Sequence, residues 1–147
     1  MIIKEFTLSD YESVHALWYG TEGVCKCEKC TFLDSREQIE KYLLRNPAMS
    51  FIAVENGHNS EDTVVGAILA GHDGRTGLIY RLTVAEEFRN RGIAGQLVEK
   101  SLEALKAEGL IAVKIFVLGD NDTGNAFWEK IGFKKFDIAV TRGKEIG

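Results

Sequence analysis

The sequence predicts a mixed α/β fold, a mostly antiparallel sheet joined to a strand, helix, strand unit, with helices on both faces. Three observations carry this expectation. Short apolar runs at Phe51 to Glu55, Val64 to Ala70 and Leu78 to Val84 are separated by turn residues, so they can pair as antiparallel neighbours. Ile93, Leu97, Val98, Leu102 and Leu105 then recur at helical spacing. A further apolar run, Ala112 to Leu118, follows that helix and reads as the next strand.

The remaining elements follow in order. Ile2 to Phe6 opens the chain as a short strand. Ser9 followed by Glu12 has the spacing of a capping box, and starts a helix with Tyr11, Val14, Leu17 and Trp18 on one side and a stop near Gly20. After a cysteine-bearing loop, Ser35 and Gln38 repeat the cap pattern, with Ile39, Tyr42 and Leu43 as the apolar stripe and Asn46 and Pro47 as the stop. NGHNSED, from Asn56 to Asp62, reads as a polar hairpin loop, and GHDGRTG, from Gly71 to Gly77, carries the Asp-Gly signal of a tight turn. Gly109 stops the long helix. Asn121 to Ile131 predicts a short helix ending at Gly132, and Phe133 to Thr141 one or two closing strands.

Composition narrows the function classes. At 147 residues, 45% hydrophobic and 27% charged, the chain is expected to be one globular domain spanning 1–147. No apolar run approaches the roughly 20 residues of a bilayer span, and MIIKEFTLSD lacks the apolar stretch of a signal peptide, so a cytoplasmic protein with no membrane partner is expected. A formal net charge of -4 argues against nucleic acid as a partner. Cys25, Cys27 and Cys30 crowd into VCKCEKC, a poor disulfide framework. Zinc usually takes four ligands, and beyond Glu28 or His15 the sequence identifies no fourth, so a loop of reduced thiols is expected and no metal.

FRNRGIAG, Phe88 to Gly95, lies where a strand ends and the long helix begins. The first-turn N–H groups of a helix have no intrahelical partner, and the positive end of the helix dipole attracts anions. Glycines let a phosphate approach the backbone, and Arg89 and Arg91 add charge. Neither the P-loop pattern nor the dinucleotide GxGxxG is present, since the glycines are Gly92 and Gly95.

The stretch Arg89 to Ala94 instead resembles the Q/R-x-x-G-x-G/A signature of the GNAT superfamily of acyl-CoA-dependent N-acetyltransferases. The resemblance runs through YRLTVAEEFRNRGIAGQLVEKSLEAL and NDTGNAFWEKIGF, and more weakly GHDGRTGLIYRLTV looks like a bacterial subgroup. It implies a GNAT-like fold whose central twisted sheet opens in a V-shaped splay between the fourth and fifth strands. It also implies acetyl-CoA as cosubstrate. Main-chain N–H groups of Arg89, Asn90, Arg91, Gly92, Ile93, Ala94 and Gly95 would hold the pyrophosphate, and Leu82, Thr83 and Val84 the pantetheine arm. Asn121 would contact the pantetheine or a water near the acceptor, assisted by Asn125. Trp128 stands where many members have a tyrosine acting as general acid.

Acetyl transfer needs a neutral amine, although a lysine titrates near roughly 10.4 and an α-amine near roughly 8, so a base or water chain must take a proton. The Leu82 N–H is the expected oxyanion donor. An indole supplies no proton at neutral pH, so the thiolate leaves as the anion and takes its proton from water, or Tyr80 reaches it. His72, Asp73, Tyr80 and Glu86 are candidate bases, each with a structural alternative in a turn, strand or solvated loop; Trp18, Tyr19, Tyr42 and Phe51 read as core. The expected activity is N-acetylation of a primary amine on a small molecule or protein in a ternary complex, with Gly20 to Asp34 on the acceptor side. A non-catalytic acyl-CoA sensor is the alternative and a zinc-organised interaction protein a third class. C-terminal strands could pair across a homodimer.

Overall fold

The computed structural model describes residues 1–57 and 61–147, so the centre of the Asn56 to Asp62 loop lies outside the described residues. The chain falls into two compact units, Met1–Phe116 and Val117–Gly147. In the first, the strands are β1 (Ile2–Glu5), β2 (Phe51–Glu55), β3 (Thr63–His72), β4 (Gly77–Val84) and β5 (Val113–Ile115). Its helices are α1 (Tyr11–Gly20), α2 (Glu28–Leu33), α3 (Arg36–Arg45) and α4 (Ile93–Ala107). The second unit carries α5 (Asp122–Lys130).

The sheet order is β1-β2-β3-β4-β5, antiparallel up to β4, with β5 parallel to it. β3 reads VVGAILAG and is buried along most of its length, as a central strand covered on both faces requires. On one face Ile52, Val54, Ala67 and Leu69 pack with Phe6, Val14, Leu17, Trp18 and Ile39. On the other, Gly66 admits α4 so closely that a Cβ there would lie 3.1 Å from Leu97 and 3.2 Å from Ile93. The hydroxyl of buried Ser101 on α4 donates to the Met49 carbonyl at 2.9 Å. Each fully buried Leu, Ile or Val in these layers contributes about 1.5–3 kcal/mol.

β4 pairs with β5 only over Gly77–Ile79, matched to Val113–Ile115. From Tyr80 to Val84 that edge has no strand partner among the described residues, which is the expected splay. On the other edge, Ala67 faces Thr83 but Leu69 faces Tyr80, so Arg81 and Leu82 together oppose Ile68 in a β-bulge. Arg81 takes a left-handed φ of 53° there.

Several local expectations need correction. The first helix is entered at Thr7, whose N–H donates to Asp10 Oδ2 at 3.0 Å, rather than at Ser9 with Glu12. Leu8–Asp10 form a 3-10 turn that runs into α1, which places the cap two residues earlier. Ser35 is the N-cap residue of α3, but its side chain makes no cap bond. The cysteine loop contains α2, capped by Cys27. β5 is three residues long, shorter than Ala112 to Leu118. No strand forms over Phe133 to Thr141, where Phe136, Ile138 and Val140 are exposed. Alternating hydrophobicity supplies the face of a strand but not the ladder partner its N–H groups require.

Candidate functional site

β4 leads through Ala85 and a 3-10 turn, Glu86–Phe88, into the segment before α4. The turn is pinned by Ala85 N–H to Val65 O at 2.8 Å and Phe88 N–H to Ala85 O at 2.9 Å. Asn90 and Gly92 then adopt left-handed φ values of 61° and 78°, and Ile93 enters the helix. A left-handed residue followed by a helical one turns successive N–H groups toward one concavity, a geometry that receives anions. The first main-chain bond of the helix is Gln96 N–H to Gly92 O at 3.2 Å, so the amides of Ile93, Ala94 and Gly95 precede every intrahelical acceptor. Among the described residues nothing lies within 4 Å of a Cβ built on Gly95, so that first turn has open space beside its backbone.

Both arginines brace this loop. Arg89 Nε donates to Val84 O at 3.2 Å. Arg91 Nη2 donates to Glu87 O at 2.9 Å, and its guanidinium carbon lies 4.8 Å from the Phe88 ring centre. Their charges therefore stay at the helix start, where they add to the positive end of α4. Leu82, Thr83 and Val84 lie directly upstream on the stretch of β4 that β5 does not pair, with Thr83 Oγ1 donating to Arg81 O at 3.3 Å. Thus the structure brings Leu82–Val84 and Arg89–Gly95 into one continuous strand, turn and helix start.

Tyr80 is 40% exposed, so it is not a core aromatic, and its ring meets Tyr42 edge-on at 6.4 Å. Tyr42 has a buried hydroxyl without a hydrogen-bond partner among the described residues, and burial pushes its phenol upward. Trp18 is fully buried core, as expected. His72 and Asp73 shape the β3–β4 turn. Gly74 N–H donates to His72 Nδ1 at 3.0 Å, and Asp73 Oδ1 accepts from the N–H groups of Arg75 and Thr76 at 2.8 Å each. Those two backbone donors, Thr76 first, hold the Asp73 carboxyl below its usual range. Glu86 is exposed and, with Glu87, Ala85, Leu17, Gly20 and Thr21, lines an open cleft of about 500 Å³ at the end of α1.

In the second unit Asn121 caps α5, its Oδ1 accepting from Gly124 N–H at 2.9 Å. Asn125 Nδ2 donates to the carbonyls of Leu118 at 3.0 Å and Asn121 at 2.9 Å, so its amide is spent on shaping the turn before the helix. Trp128 is buried, edge-on to Phe127 at 5.2 Å and Phe133 at 4.9 Å. Asn121 at the N-cap and Asn125 and Trp128 within α5 are thus set by one short helix.

Sequence reasoning missed an ion pair. Arg81 Nε donates to Asp34 Oδ1 at 3.2 Å and its Nη2 to Asp34 Oδ2, with both side chains largely buried. Tyr19 donates to the same carboxylate at 3.1 Å, Tyr11 donates to the Asp34 carbonyl at 2.8 Å, and Arg81 Nη2 also donates to the Cys25 carbonyl at 3.0 Å. The signal was an arginine inside the apolar run LIYRLTV, since a charge buried in a strand demands a partner. Beside it the three thiols converge. Cys30 N–H donates to Cys27 Sγ, which lowers that thiol to about 7, whereas burial raises Cys30 to about 12.

No helix among the described residues is long and apolar enough to cross a membrane. Residues 12–133 match the family model for the acetyltransferase (GNAT) family. An acetyltransferase of Sodalis glossinidius is 32% identical over 99% of this chain and 96% of its own length. Among solved structures, the PaiA N-acetyltransferase of Thermoplasma acidophilum, in complex with coenzyme A, superposes with a TM-score of 0.75 at 19% identity, over 94% of this chain and 92% of that one. Ard1 of Thermoplasma volcanium gives 0.74 at 23% identity, over 90% and 82%.

Proposed function

Because the chain belongs to the GNAT acetyltransferase family, we propose that it uses acetyl-CoA to acetylate a primary amine of a small molecule or protein, by direct attack in a ternary complex. The observation that carries this reading is the open β5-side edge of β4 leading straight into the free amides of α4. An extended pantetheine arm can add to the Tyr80–Val84 edge through main-chain hydrogen bonds, with the pyrophosphate at the Ile93–Gly95 amides. The coenzyme A bound to the Thermoplasma acidophilum relative supports the cosubstrate.

The Arg81–Leu82 bulge gives Leu82 its role. A bulge reorients one peptide against its neighbours, and the Leu82 N–H serves as donor to the negative charge developing on the thioester oxygen. Holding amine and thioester together accounts for most of the acceleration. Glu86 and Glu87 give the cleft at the end of α1 a carboxylate rim suited to a cationic amine, which must lose a proton before attack. Asn121 and Asn125 order the segment entering α5, and Trp128 fills an aromatic cluster, so the departing thiolate takes its proton from water.

That indole also favours a second reading, a module that binds acyl-CoA without turnover. Incubation with acetyl-CoA and a broad panel of amines, followed by mass spectrometry and thiol detection, separates the two. Transfer predicts a product heavier by one acetyl group together with one free coenzyme A. Tight acetyl-CoA binding with no release on any amine contradicts it.

A further inference from the structure

We propose that Cys25, Cys27 and Cys30 form a three-thiolate site for a thiophilic d10 cation, zinc(II) or copper(I). The three Sγ atoms lie within 4.8 Å of one another, and Cys30 Sγ is 3.2 Å from Cys25 Sγ. Three sulfurs around one ion at a metal–sulfur distance of about 2.3 Å sit roughly 4 Å apart, so the thiols need only small side-chain adjustments to close on it. Cys25 and Cys27 are exposed and Cys30 is half-buried, which leaves the ion an entry path from solvent.

The donor set selects the metal class. Three sulfurs without imidazole or carboxylate favour soft or borderline ions over magnesium or calcium. No fourth His, Cys, Asp or Glu joins the group among the described residues. Copper(I) can be satisfied by three thiolates, whereas zinc(II) retains one position for water or an added ligand. Each thiol releases its proton to solvent as the ion binds. The resulting negative charge is partly offset by Lys26 and Lys29, which flank Glu28 between the cysteines, and the Arg81 guanidinium, paired with Asp34, holds the Cys25 carbonyl beside the site.

Occupancy would fix the loop that Arg81 ties to the β4 bulge. That coupling to the thioester site rests on the acetyltransfer reading; the metal site itself does not.

The test uses the full chain, fully reduced, freed of metal by a chelator and kept anaerobic, with no acetyl-CoA present. Zinc(II) and copper(I) are titrated separately against chromophoric competitor chelators, and thiolate-to-metal charge transfer is followed in the ultraviolet for copper(I). One ion per chain is expected in at least one arm, and each single Cys→Ser variant should weaken it by at least about tenfold. Thermal melts of the variants check folding, which these peripheral thiols should leave intact. Equal binding by wild type and the triple Cys→Ser variant overturns the proposal, as does a reduced protein that binds neither ion and only forms a Cys25–Cys30 disulfide in air. Neither result touches the acetyltransferase assignment.

Discussion

Arg81 combines a left-handed backbone with a guanidinium removed from water. A non-glycine residue at a φ of 53° costs roughly 1–3 kcal/mol, and the surroundings hold it there through Asp34, the Cys25 carbonyl and the face of Trp18, whose ring centre is 5.9 Å away. Replacing Arg81 with Met strands the Asp34 carboxylate beside the Tyr19 hydroxyl alone. Urea unfolding should show a loss of about 3–5 kcal/mol, part of it restored when Asp34 is also made apolar. Asp73 acts differently, through its turn. Its folded pKa lies below the usual 3.8, so its ionised form adds stability above that value, and the contribution fades as pH falls through the folded pKa. Asp73→Asn should therefore lower the melting temperature at pH about 7 and converge with wild type in acid.

At the scale of elements, the proposed site rests on the ends of β4 and α4, which differ in what they leave unpaired. The strand loses its parallel neighbour after Ile79, and the helix begins with amides that no carbonyl among the described residues reaches. Gly92 and Gly95 are not equivalent tests of this. Gly92 has a φ of 78°, so a side chain there strains the backbone whatever it does to a ligand. Gly95 is helical and open on its Cβ side. A glutamate at Gly95 suits the first turn of a helix and replaces a poor helix former, so Gly95→Glu should melt no lower than wild type while placing a negative charge in the anion concavity.

At the scale of the molecule, the legible parts were those encoded locally. Leu82–Val84 and Arg89–Gly95 could be placed because strand, turn and helix signals abut within about twenty residues. The buried face of α1, with Tyr11, Val14, Leu17 and Trp18, follows from helical spacing alone. Arg81 and Asp34 are 47 positions apart, and no local pattern joins them. The six-residue α2 escaped because its cap is a cysteine, outside the usual Ser, Thr, Asp and Asn. Phe136, Ile138 and Val140 alternate as strand residues should, yet pairing depends on a partner that the alternation does not specify.

Calorimetric titration of acetyl-CoA into the wild-type chain and Gly95→Glu is the most direct measurement of whether main-chain amides at the start of α4 hold the pyrophosphate. Wild type should bind one acetyl-CoA per chain, and the variant, with its fold intact, at least about tenfold more weakly through like-charge repulsion. No binding heat with wild type, or equal affinities for the two proteins, would contradict the assignment.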